Sequence, residues 1–193
     1  MSFLTTSDSG LIAPNRRLIL GSALLSGAAI ALLAGRETLA ASASRGTQSA
    51  ANDASILNTA LGAEHEAVAA YQVAAESGLL EKPVLALATQ FQGHHRAHVD
   101  LLATTVTKLG GKPVAAKSRY TFPTDKLKTQ ADVLRFAALL EKGAVSAYLN
   151  AVPVFGNREL AKAAASILGD EAMHWAVLRQ AVGENPVPDA FVS

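Results

Sequence analysis

The sequence predicts an all-α protein, a four-helix bundle made of two helical hairpins joined by a long crossover loop. Three observations carry that prediction. Ala, Leu, Glu, Lys and Gln dominate while β-branched runs are few, which favours helices over strands. From about Asp53 onward apolar residues recur at alternating steps of three and four, the spacing of a helix with one buried face. Breakers cut this pattern into four segments, with short links inside each pair and one connection of about 18 residues between the pairs. At 193 residues, 50% of them hydrophobic, the chain can bury one substantial core.

Ahead of the bundle, residues 1–43 read as a targeting segment. A polar start leads to Asn15-Arg16-Arg17-Leu18-Ile19-Leu20, then an uncharged run to Gly35, then a small-residue tail ending in Ala41-Ser42-Ala43. This resembles a bacterial twin-arginine signal peptide, although Asn15 stands where Ser or Thr is usual, and the resemblance implies export of a folded protein to the periplasm. The rival is an uncleaved anchor, but Leu18 to Gly35 is 18 residues, short of the roughly 20 that span a bilayer. Cleavage leaves residues 44–193 as the mature domain.

The first helix is expected over 53–77, with Asp53 or Ser55 as its cap and Gly78 after its end. Pro83 opens the second, which stops at Gly110-Gly111. The stretch 111–128 has no sustained periodicity and reads as the crossing loop. Thr129 with Asp132 forms a capping box for the third helix, which ends near Pro153. Asn157 caps the fourth, which ends at Gly183, and a non-helical tail with Pro186 and Pro188 follows.

Each apolar stripe is interrupted by charge or imidazole. Glu64 falls between Leu61 and Val68, and Glu141 between Ala137 and Val145. His95 and His98 fall between Phe91 and Leu102, and Glu171 and His174 between Ile167 and Leu178. Residues three apart on a helix have Cβ atoms roughly 5–6 Å apart, so each close pair can reach a single ion. A lone Glu-x-x-His on such a stripe is more often a buried hydrogen-bonded pair than a ligand set. Here six polar residues recur in register: Glu64-x-x-Ala-Val-x-Ala-Tyr71 repeats as Glu141-x-x-Ala-Val-x-Ala-Tyr148, 77 residues on, and His98 lies 76 residues before His174. Two copies of one hairpin would bring Glu64, His95, His98, Glu141, Glu171 and His174 to one depth. By the same stripes His94 and His65 point about 100° away and are expected to be exposed, with a local shift that brings His94 to the site as the alternative. Tyr71 and Tyr148 are expected to bond buried carboxylates, Trp175 to serve as core or as an inter-subunit contact, and Glu66 and Asp170 to be solvated or to support the site from outside.

Residues 54–182 resemble the ferritin-like superfamily, particularly exported bacterial members. That family sets one Glu on each of two helices and a Glu-x-x-His on each of the other two around two metal ions. The resemblance maps Glu64 and Glu141 onto the single glutamates, Glu171 and His174 onto one Glu-x-x-His, and His98 onto the histidine of the other. His95 departs from the pattern, replacing a bridging carboxylate with imidazole. Three carboxylates then remain to offset two divalent ions, which makes a single ion or a weaker second site the natural outcome. Imidazole also moves preference away from Mg or Ca. Iron, one or two ions, is the expected cofactor, with manganese, zinc and copper as alternatives.

No cysteine is present, which excludes disulfides and thiolate sites. Removing residues 1–43 takes Lys+Arg from 17 to 14 and Asp+Glu from 16 to 14, leaving a neutral chain that suits neither nucleic acid nor anionic lipid. The expected partners are metal ions, a second copy in a homodimer, and the membrane only through the signal segment. The expected function is metal binding with iron and oxygen redox or stress protection. The rival is a non-enzymatic envelope protein whose degenerate, metal-free Glu/His network fixes the register of the core.

Overall fold

The computed structural model describes residues 45–192, so the expected signal segment lies outside the described residues. Four helices follow in order: α1 (Arg45–Glu76), α2 (Lys82–Lys108), α3 (Gln130–Ala151) and α4 (Arg158–Ala181), with single 3₁₀ turns at Thr124–Lys126 and Val152–Val154. No strand occurs among the described residues. α1 packs along α2 and α3 along α4, and the two hairpins meet mainly through α1 and α3. This is the four-helix bundle of two hairpins that the breakers predicted.

The local signals explain most boundaries. Pro83 occupies the first turn of α2, where its missing N–H costs nothing. Gly78, Gly110 and Gly183 end their segments at φ of 71°, 79° and 77°, a left-handed backbone that favours glycine. At α3, Thr129 accepts from the Asp132 N–H while Asp132 accepts from the Thr129 N–H, and Asn157 accepts from Glu159 N–H at α4. The crossing loop is pinned at its start by Asn58, whose side chain donates to Lys112 O at 2.9 Å and accepts from Val114 N–H at 2.8 Å. Phe122 then packs edge-on against Phe136 of α3, with ring centroids 6.0 Å apart. Among the described residues no helix is long and apolar enough to cross a membrane.

One boundary differs from expectation. α1 starts at Arg45 rather than at Asp53, because residues 47–52 contain neither Gly nor Pro and continue the helix. Asp53 is therefore not the cap of its own helix. It is 2% exposed and accepts from Gly156 N–H at 2.8 Å and Asn157 N–H at 3.0 Å, on the loop that feeds α4. The approach is close: a Cβ on Gly156 would lie 2.0 Å from Ser49 Oγ. Truncating Asp53 leaves two part-buried donors without a partner, and bonds to charged acceptors are worth about 1.5–3 kcal/mol each. Asp53→Ala should lower unfolding free energy by roughly 2–4 kcal/mol in urea titration, clearly more than Asp132→Ala at an exposed cap. Equal costs for the two variants would refute the cross-bundle anchoring.

The core forms two apolar clusters. One gathers Leu57, Leu61, Leu102, Val106, Tyr148, Ala164 and Ile167; the other gathers Tyr71, Ala88, Phe91, Leu134, Ala137, Ala138 and Leu178. On every helix the inward polar residues fall between the segments that build these clusters. A polar layer is thus sealed above and below by apolar packing.

Candidate metal centre

The helical period delivers all six inward polar residues to that layer. Glu64 comes from α1, His95 and His98 from α2, Glu141 from α3, and Glu171 and His174 from α4. Glu64, His95, Glu141, Glu171 and His174 are each 3% exposed or less, and the His98 side chain is 12% exposed. Their donor atoms fall into two overlapping groups, Glu64–His95–His98–Glu171 and His95–Glu141–Glu171–His174, each with all its atoms within 4.8 Å of one another. His95 and Glu171 belong to both.

His95 sits at the middle. Its Nδ1 donates to Glu64 Oε2 at 2.9 Å and its Nε2 donates to Glu141 Oε1 at 3.3 Å. Burial would lower this imidazolium, but the bonds to Glu141 and Glu64 outweigh it and hold the ring up at about 11. His98 and His174 are held up at about 9, by Glu171 and Glu64 and by Glu141 and Glu171 respectively. The same contacts, against burial, keep Glu64 and Glu141 below the usual carboxylate range. Glu171 goes the other way, pushed up to about 7 by burial and by the neighbouring Glu141.

The single glutamates are oriented across the bundle. Tyr71 of α1 donates to Glu141 Oε1 on α3, and Tyr148 of α3 donates to Glu64 Oε1 on α1 at 2.6 Å. Burial and the facing carboxylates push both phenols well above their ordinary value, so they remain donors. Glu171 has no such help. Both of its oxygens are buried without a hydrogen bond, as are His98 Nδ1 and His174 Nδ1. His98 Nδ1 lies 3.1 Å from Glu171 Oε1 but out of line for bonding, and His174 Nδ1 lies 3.6 Å from Glu171 Oε2, beyond bonding distance. Buried polar atoms are ordinarily bonded, and four inward-facing exceptions in one layer fit the ligand atoms of a shared cation. The donor set of carboxylates and imidazoles fits iron, manganese, zinc or copper.

Two residues off the inward stripes lie beside this layer, one of them, Asp170, as a support from outside as expected. His94, expected to be exposed, is half-buried, and its Nδ1 lies 2.9 Å from His174 Nε2 and 3.1 Å from Asp170 Oδ2. Imidazole and carboxylate side chains span the seam between α2 and α4, so a residue 100° off the inward stripe still meets the opposite helix. Asp170 Oδ2 also lies 3.4 Å from both His98 Nε2 and His174 Nε2. The signal was in the repeat: His94-His95-x-x-His98 and Asp170-Glu171-x-x-His174 align at a constant offset of 76. His65 instead faces the crossing loop, with Nε2 3.2 Å from Val114 O. Trp175 packs at the edge of the core under Lys142 and Arg179, 5.8 and 5.4 Å from its ring. On the opposite side, between α1 and α3, a cleft walled by small residues such as Ala60, Ala63, Ala67, Ala144 and Ala147 ends on Glu64, His95 and Glu141.

A four-helix bundle with a buried layer of carboxylates and imidazoles belongs to the class of helical bundles whose core could hold metal ions. The ferritin-like domain family matches residues 52–184, and the chain belongs to that family. Among solved structures it is similar to a conserved hypothetical protein, rv2844, from Mycobacterium tuberculosis. The identity is 23% and the TM-score 0.64, over 75% of this chain and 99% of that one, a likeness of fold. No curated protein matches the chain.

Proposed function

We propose that this protein is an exported ferritin-like metal carrier whose centre is a modified di-iron-type site holding one or two ions, iron first. The observation that carries the reading is the set of unbonded buried atoms on Glu171, His98 and His174, all facing one layer. Glu64 and His98 would hold one ion, Glu141 and His174 the other, with Glu171 shared between them and His95 standing where the family has a second shared carboxylate. Iron bound there supplies redox chemistry towards dioxygen or peroxide.

The chain's own residues do the rest. Tyr71 and Tyr148 aim Glu141 and Glu64 into the layer. The Phe91 ring stacks on His174 at 4.0 Å between centroids and shields it from water. The small-residue cleft between α1 and α3 offers a small apolar reactant a route to the Glu64–Glu141 side. The paired arginines at 16 and 17 support export by the twin-arginine route and a periplasmic location, after cleavage near Ala43. A second reading, a metal-free network in an envelope protein, is favoured by His95 alone, since both its nitrogens already have carboxylate partners.

Metal analysis decides between them. Protein reloaded with Fe(II), Mn(II) or Zn(II) and desalted is expected to retain about one to two ions per chain, following the count of donor groups. Retention below roughly 0.2 per chain for all three, where mutually aligned ligands should bind firmly, favours the network.

A further inference from the structure

Outside the buried layer, the α2–α4 seam carries a second group of ligating atoms: His94 Nδ1, Asp170 Oδ2 and His174 Nε2, all within 4.8 Å of one another. It grades from solvent inward. The His94 side chain is 39% exposed, Asp170 21% and His174 2%. His174 belongs to both places, turning Nε2 to this outer group and Nδ1 to Glu141 and Glu171, each 3.6 Å away. His98 is divided likewise, with Nε2 towards Asp170 and Nδ1 towards Glu64 and Glu171.

We propose that His94, Asp170 and His174 form a separate, solvent-facing site for a divalent transition-metal ion, and that this site is the port through which the buried centre is loaded. A neutral imidazole has one free lone pair, so His174 can serve an outer ion through Nε2 or an inner ion through Nδ1, not both. Occupation is therefore sequential: as the captured ion leaves Nε2 the ring changes tautomer, giving up its Nδ1 proton on the side of Glu141 and Glu171 and taking one on Nε2 from the Asp170 side. The chemistry of the two openings agrees. A hydrated dication sheds water readily only where carboxylate and imidazole replace it. The seam provides both, while the α1–α3 cleft offers one carboxylate, Glu66, no imidazole before the buried His95, and otherwise mainly alanine walls. His94, the residue in the position that Asp170 holds on the other hairpin, supplies a ligand that is exposed enough to meet an ion in solution.

The proposal rests on the buried-centre reading, and cobalt(II) alone tests the two separately. Anomalous scattering at the cobalt edge, from crystals of the protein soaked in Co(II), should place a peak against His94 and Asp170. A peak in the buried layer but none at the seam overturns the outer site. A peak at the seam with an empty buried layer keeps the site, removes its role as a port and sinks the buried-centre reading. In solution, His94→Ala should take up Co(II) about tenfold more slowly, on the scale at which neighbouring residues tune metal sites. Its final buried cobalt content and metal-free melting temperature should be unchanged. His94→Gln, which keeps the bulk and loses the imidazole, should behave the same way. Uptake by both variants at the wild-type rate refutes the port; loss of buried cobalt at equilibrium in both makes His94 a support of the inner ligands instead.

Discussion

Fe(II), Mn(II) or Zn(II) added to metal-free protein is expected to raise the melting temperature by roughly 8–16 °C. An ion that binds only the folded state stabilises it by about 4 kcal/mol at a thousandfold excess over Kd. Each kcal/mol moves the transition of a domain this size by about 2–4 °C. Glu171→Gln is the sharpest control, because it keeps the shape of the side chain while removing the carboxylate common to both donor groups. The variant should fold and show little or no shift under the same conditions. Scanning fluorimetry with and without chelator reads both. No shift in the wild type with any of the three metals would retire the metal-carrier reading in favour of the hydrogen-bonded network.

The second large effect is a reversal of pH dependence on metal loading. Glu171 is held at about 7 against an ordinary 4.5, so its contribution is complete below pH 4.5 and is lost as pH rises through 7. His98 and His174, at about 9 against 6.5, contribute fully below pH 6.5 and lose this as pH passes 9, and His95 follows at about 11. Glu64 and Glu141, both lowered, lose theirs only on acidification below about 4.5. The metal-free protein should therefore be most stable near pH 5 and weaken steadily towards pH 9. Metal ions displace the same ring protons, so their stabilisation grows with pH. Urea titrations at pH 5 and pH 8 should show the metal-free form weaker at pH 8 and the gap between loaded and metal-free forms wider there. Glu171→Gln, which cannot ionise and no longer holds His98 and His174 up, should flatten the loss of metal-free stability between pH 5 and pH 8. A metal-free profile with its maximum near pH 8 contradicts this account.

The bundle and the inward direction of the six polar residues were legible because both follow from one helical period. Glu64, Glu141, Glu171 and His174 interrupt apolar stripes that nothing else interrupts. What was not legible depends on which helix lies opposite. Tyr71 follows Glu64 by seven residues, a rise of about 10.5 Å, too far for a bond within one helix. The sequence thus announces a bonded tyrosine but not that its partner is Glu141. Asp53 reads as a helix start by residue type, and only the folded chain reveals that it serves α4. His94 was placed off the site because its angle was measured against a single stripe, whereas its side chain, still 39% exposed, spans the seam to Asp170 and His174 on the opposite helix.

The exchange of Asp-Glu on α4 for His-His on α2 has a consequence for how such a centre can arise. Two identical hairpins associating as separate chains must carry every replacement twice, so an acidic arm facing a basic one is closed to them. Here a single polypeptide holds both halves, and the crossover between Lys108 and Gln130 is what makes the lopsided arrangement heritable. One arm can keep its carboxylates while the other drifts towards nitrogen donors, and the preference among metals can be adjusted on one side at a time.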